Sequence, residues 1–254
     1  MNRIWKEKLY LHFIQEAIGL GLFMISAGFF SVLLYHPHFS GWIPMHSWVL
    51  RQILIGFCMG TTAFFIITNP WISRSGAHIN PAVTISFYYL KRIDRLEAIF
   101  YILFQFIGAT LGIYILSLVW NSYLKDPSIN YIITTPGKTE TMEALFLEFL
   151  IAFILMTVVL ESGLNDKTRK WTPYWVWILV SVYAAFESPF TGFGMNPART
   201  FGSAFISGIW TEYWIYVIGP IGGMLLAAYL YSHRAFHPKG LGKHKSQVLV
   251  STID

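Results

Sequence analysis

The chain has 254 residues and is 55% hydrophobic, 18% aromatic and only 12% charged, where soluble domains carry roughly 25% charge. That composition excludes an ordinary soluble domain and points to a polytopic membrane protein. The single cysteine, Cys58, excludes a disulfide framework and a thiol metal cluster.

About 20 apolar residues cross a hydrocarbon core of ~30 Å. Runs of that order fall near 10–35, 48–69, 97–120, 142–161, 174–190 and 211–232. The first is too long for a signal-peptide core and lacks a convincing cleavage site, so it reads as a span. Two shorter runs, 81–90 and 197–207, sit between the second and third spans and between the fifth and sixth. Each is half a crossing and reads as re-entrant. Bare backbone at membrane depth is tolerated only inside protein or beside a wet cavity, so the loops feeding these half-helices imply a cavity.

The order span, span, half-helix, span occurs twice, over 10–120 and 142–232, with 121–141 as the outer connecting loop and 233–254 as a polar, basic tail. Glu16-Ala17-Ile18-Gly19 is answered by Glu148-Phe149-Leu150-Ile151, and Gly108–Gly112 by Gly219–Gly223. Three spans per half is odd, so the second half enters upside down and the half-helices meet from opposite sides. With the N-terminus inside, Arg3, Lys6, Lys8, Arg74, Lys91, Arg92, Arg95, Lys167, Arg169, Lys170, Arg234, Lys239, Lys243 and Lys245 are cytoplasmic, fourteen against Arg51, Lys125 and Lys138 outside. The positive-inside rule then predicts both termini in the cytoplasm. It also accounts for the net charge of +5 without a nucleic-acid partner.

One stretch occurs twice: SGAHINPAVT from Ser75, and TGFGMNPART from Thr191. Asn suits a helix N-cap, and Pro the first helical position, where its missing N–H is not needed. Asn80-Pro81-Ala82 and Asn196-Pro197-Ala198 therefore predict two helix starts. Their positive dipole ends would converge with the two amide NH2 groups left over as donors. Such a point suits polar neutral solutes and repels cations. Arg199 is the lone basic residue in the second hairpin, and an intramembrane Arg is by default functional.

On these paired boxes the chain resembles the aquaporin, or major intrinsic protein, family along nearly its whole length. The resemblance implies an all-α membrane protein with six transmembrane helices and two re-entrant half-helices in an inverted repeat. It implies a passive channel, one pore per chain and four chains per assembly, in a plasma or inner cell membrane and without cofactor or metal. Asn80 and Asn196 would donate to solute oxygen, and a water turned toward both could not relay a proton. Arg199 would stand in the outer constriction, with Phe193 and Ala184 as further walls by family spacing. The fourth wall falls on Gly60 or Phe57, depending on an insertion near Thr68–Arg74. Backbone carbonyls of Gly76, Ala77, His78, Gly192, Phe193 and Gly194 would form an acceptor ladder. Glu16 and Glu148 would anchor the loops, and His78 and Gln105 would help hold the first.

Selectivity signals conflict. Ala184 with Phe193 resembles glycerol facilitators, whereas Thr200 after the arginine and Gly202-Ser203-Ala204 follow water channels. A water channel that passes some small uncharged solutes is expected. A glycerol or small-solute facilitator, or a non-conducting junction or scaffold protein, is the alternative. Glu187, near the outer end of the fifth span, reads as a solvated helix end, ahead of a cation attractor at the mouth or a partner for Arg199. Trp171, Trp175, Trp177, Trp210 and Trp214 read as interface belts. No zinc-protease, phosphate-loop or dinucleotide signature is present, so an enzyme is not expected.

Overall fold

A computed structural model describes the backbone at residues 3–40 and 47–233 and the side chains at 9–39 and 47–233. The tail residues Arg234, Lys239, Lys243 and Lys245 and the side chains of Arg3, Lys6 and Lys8 lie outside the described residues. The described chain is all-helical: α1 (Arg3–Tyr35), α2 (Trp48–Thr68), half-helix α3 (Pro81–Tyr89), α4 (Arg95–Leu124), α5 (Thr141–Gly163), α6 (beginning Thr172–Val182), half-helix α7 (Pro197–Ser207) and α8 (Ile215–His233).

Five of these, α1, α2, α4, α5 and α8, are long and apolar enough to cross a membrane. The sixth span, α6, is broken. A π turn, Tyr183–Glu187, follows its α-helical part, and Ser188–Thr191 closes it. The amide of Ser188 reaches back to the carbonyl of Tyr183, so one extra residue sits in the turn. An extra residue rotates everything after it by about 100° about the helix axis.

The two halves pack alike. The largest interfaces are α1 against α4 and α5 against α8, with α2 against α6 next. A Cβ on Gly108 would stand 2.1 Å from the carbonyl oxygen of Ala17, and one on Gly223 2.2 Å from that of Phe149. Small residues at these crossings let backbones touch, which is how helices associate where lipid offers no hydrophobic drive. Each half-helix is held by the other half: α3 packs against α8, and α7 against α4. The half-helices are thereby enclosed by protein, which satisfies the rule against bare backbone in lipid.

Candidate functional site

Asn80 and Asn196 cap α3 and α7 as their sequence context dictates. Asn80 Oδ1 accepts from the amide of Ala82 at 2.9 Å, and Asn196 Oδ1 from Ala198 at 3.1 Å and Arg199 at 3.2 Å. Pro81 and Pro197 occupy the first helical positions. From sequence, the NH2 of each cap has no local partner; the structure gives it a distant one. Asn80 Nδ2 donates to the carbonyl of Met195 at 2.9 Å, and Asn196 Nδ2 to the carbonyl of Ile79 at 2.7 Å. One hydrogen of each amide is so engaged across the repeat. The second has no protein acceptor among the described residues.

The loops before the caps repeat one unusual backbone. Gly76, Ala77 and Ile79 have φ of 92°, 45° and 42°; Gly192, Phe193 and Met195 have 83°, 53° and 47°. Left-handed conformations cost an L-residue roughly 1–2 kcal/mol each, so something must hold them. Fully buried Glu16 accepts from the amides of His78 at 2.9 Å and Ile79 at 2.6 Å, and from Ser75 Oγ and Gln105 Nε2 at 2.7 Å each. Equally buried Glu148 accepts from the amides of Gly194 at 2.8 Å and Met195 at 2.6 Å, and from Thr191 Oγ1 at 2.6 Å. The carbonyls of Gly76, Ala77, His78, Gly192, Phe193 and Gly194 receive no hydrogen bond among the described residues.

Two tyrosines complete the pattern, a role that the sequence reading assigns to neither. Tyr101 donates to the carbonyl of Ser75 at 2.7 Å, and Tyr216 to that of Thr191 at 2.5 Å. The available signal was the hydroxyl residue, Ser75 or Thr191, directly before the first glycine of each copy. His78 stacks on Phe87 with ring centroids 4.8 Å apart, and its Nδ1 lies 3.2 Å from Thr84 Oγ1. At the matching Gly194 a Cβ would stand 2.3 Å from the Tyr216 ring, so the second loop has no room for a side chain there.

The second loop borders a cavity of 570 Å³ lined by Ala184, Gly192, Phe193 and Arg199 together with Gln52, Ile55 and Met59 of α2. Arg199 Nη1 is buried without a hydrogen-bond partner. Neither sequence candidate for the fourth wall reaches this cavity. A Cβ on Gly60 would stand 1.9 Å from Ser181 Oγ, so Gly60 is a helix-packing position against α6. Phe57 is 54% exposed on the outside of the bundle, its ring against Trp177. The α2 face that does reach the cavity carries Gln52, Ile55 and Met59, spaced three and four residues apart, as one helix stripe requires.

Glu187 is also corrected. It is 8% exposed, not solvated; its Oε1 is hydrogen-bonded to Thr191 Oγ1 and its Oε2 is buried without a partner. Its place in the π turn turns it inward. Among the described residues no cluster of three or more His, Cys, Asp or Glu side chains is arranged to hold a metal.

Residues 4–231 match the family profile described as Major intrinsic protein. The chain is 35% identical to aquaporin-4 of Bos taurus over 187 residues, which are 72% of this chain and 56% of that protein. It is 33% identical to the probable aquaporin TIP3-2 of Arabidopsis thaliana, over 67% of this chain and 63% of that one. The chain thus spans less than two thirds of the length of these relatives. Among solved structures it is similar to the aquaglyceroporin from Plasmodium falciparum, with a TM-score of 0.75 and 21% identity over 89% of this chain and 96% of that one. That likeness concerns the fold.

Proposed function

The chain belongs to the major intrinsic protein family, an integral membrane family, and from that premise we propose that it is a passive channel conducting water in single file, with permeability to small uncharged solutes such as glycerol. The observation that carries this is the meeting of the two half-helix starts, each asparagine amide bonded to the opposite loop, together with a cavity bordered by the second of those loops and walled by Ala184, Phe193 and Arg199. A solute at the meeting point finds the remaining amide hydrogens of Asn80 and Asn196. The free carbonyls of Gly76–His78 and Gly192–Gly194 supply acceptors along the path. Two helix N-termini and the Arg199 charge make the same path unfavourable for H3O+ and metal cations.

The outer constriction in this reading consists of Ile55, Ala184, Phe193 and Arg199. Three apolar walls and one donor suit a solute with a hydrocarbon face and a hydroxyl edge, which favours glycerol-like molecules alongside water. Both termini are taken as cytoplasmic, and the assembly as a homotetramer in the lipid bilayer of the cell membrane. No cofactor is required.

Stopped-flow light scattering on proteoliposomes tests the proposal. Under a sucrose gradient, shrinkage much faster than in empty liposomes is expected; equal rates would end the channel reading. Under a glycerol gradient, fast shrinkage followed by re-swelling is expected. Shrinkage without re-swelling would leave a water channel only.

A further inference from the structure

Thr191 Oγ1 touches two carboxyl groups but has a single hydrogen to give. A hydroxyl donates one hydrogen and accepts two. Glu148 accepts an amide N–H on each oxygen, which favours its charged form, and Thr191 donates to it at 2.6 Å. The amide of Phe193, at 3.3 Å, fills one lone pair of Thr191 Oγ1. The other faces Glu187 Oε1. An ionised Glu187 would set oxygen lone pairs against each other, and its Oε2 would be a buried charge with no partner. Burying an unpaired charge costs far more than burying an unpaired neutral acceptor. The charged groups acting on Glu187 are Glu148 from α5 and Arg199 from α7, but Arg199 Nη1 makes no hydrogen bond to it.

We propose that Glu187 is held as a neutral carboxylic acid that donates its proton to Thr191 Oγ1, and that the directed chain Glu187 to Thr191 to Glu148 positions the Gly192–Phe193 wall of the constriction. The first half has no counterpart. There Ser75 Oγ donates to Glu16 and its third neighbour is the carbonyl of Ile72, which is not ionisable. The π turn makes the difference, since it holds Ala184 of the cavity wall and Glu187 in the same five residues. Glu187 is thus a positioning residue. The effect on selectivity rests on the channel reading; the protonation does not.

Infrared difference spectroscopy of the full chain in liposomes, wild type against Glu187→Gln, reads the protonation directly. At neutral pH a carboxylic-acid C=O band, shifted in D2O, is expected in wild type and absent from E187Q. Loss of carboxylate bands instead would overturn the neutral acid in favour of an ion pair with Arg199. E187Q keeps an N–H donor for Thr191, so its glycerol-to-water permeability ratio should stay within about twofold of wild type. Glu187→Met removes the donor and should shift that ratio about fivefold, the factor one lost hydrogen bond produces in an equilibrium. An unchanged ratio in E187M would overturn the positioning role. Should wild type itself not conduct, the infrared band would still report on Glu187.

Discussion

Asn80 and Asn196 each cap their own helix with oxygen and bind the loop of the other with nitrogen, through Met195 at 2.9 Å and Ile79 at 2.7 Å. The two halves are therefore tied at their tips, and the carbonyls that receive the bonds belong to residues in left-handed backbone. Capping and crossing are separable. Asn80→Ser keeps an oxygen for the Ala82 amide but removes the donor to Met195, so the expected loss is about 0.5–1.5 kcal/mol, without the further cap penalty of about 0.5–2 kcal/mol in Asn80→Ala. Thermal unfolding in detergent should rank wild type above N80S above N80A. Equal melting of the two variants would mean that the cap adds nothing.

The wall supplied by α2 can be identified by substitution. Ile55→Phe adds bulk inside the cavity and should lower glycerol permeability several-fold more than water permeability. Ala184→His should do the same from the π turn. Phe57→Ala removes a ring from the outer surface and should leave both fluxes unchanged. Stopped-flow traces under paired sucrose and glycerol gradients measure all three. An I55F channel with wild-type glycerol flux would remove Ile55 from the constriction.

The six spans, the two half-helices and their repeat were legible because apolar length and the Asn-Pro pair are local signals. The anchoring carboxylates were legible too, since Glu16 and Glu148 recur at matching places in otherwise apolar helices. What escaped depended on rotation about a helix axis. Gly60 and Phe57 were reached by counting back from Asn80, but a count cannot say which stripe of α2 faces inward, and the segment Asn69–Ser75 between them and the loop turns through a short 3-10 helix. Glu187 was misread for a similar reason. A π turn leaves no mark in hydropathy, yet its extra residue carries the side chain from the helix end into the protein. The crossed amide bonds were hidden because their acceptors, Ile79 and Met195, lie more than a hundred residues from their donors.

Glu16 is expected to tolerate no amide. Its two oxygens accept four hydrogen bonds, two from backbone N–H groups held in strained loop geometry. Glu16→Gln replaces one oxygen with an NH2 facing donors, and hydrogen bonds to a charged group contribute about 1.5–3 kcal/mol each. Loss of at least one predicts a melting temperature several degrees lower and a reduced water flux. Glu148→Gln should behave alike, having three such bonds. A wild-type melt for E16Q would show that the loop conformation is held by Tyr101 and the crossed amides instead.

The cavity rim at residues 128–133 should loosen in acid. Asp126 follows α4, and its carboxyl is held below its ordinary value of 3.8, first by the Ser128 hydroxyl and amide and then by His36, whose Nε2 lies 3.5 Å away. A depressed carboxyl pKa stabilises the folded segment above the unfolded value and ceases to do so as pH falls through the folded one. The amides of Ile129 and Asn130 bond to the Asp126 carbonyl, and Ser128, Ile129, Ile132 and Ile133 line the cavity. Hydrogen exchange at residues 128–133 should therefore quicken, relative to the intrinsic rate, only below about pH 4. Asp126→Asn should abolish that acid-dependent step, because an amide has no proton to gain. Exchange that stays equally slow from pH 7 to pH 3 in wild type would show that the rim is held by the packing of Ile129 and Ile132 alone.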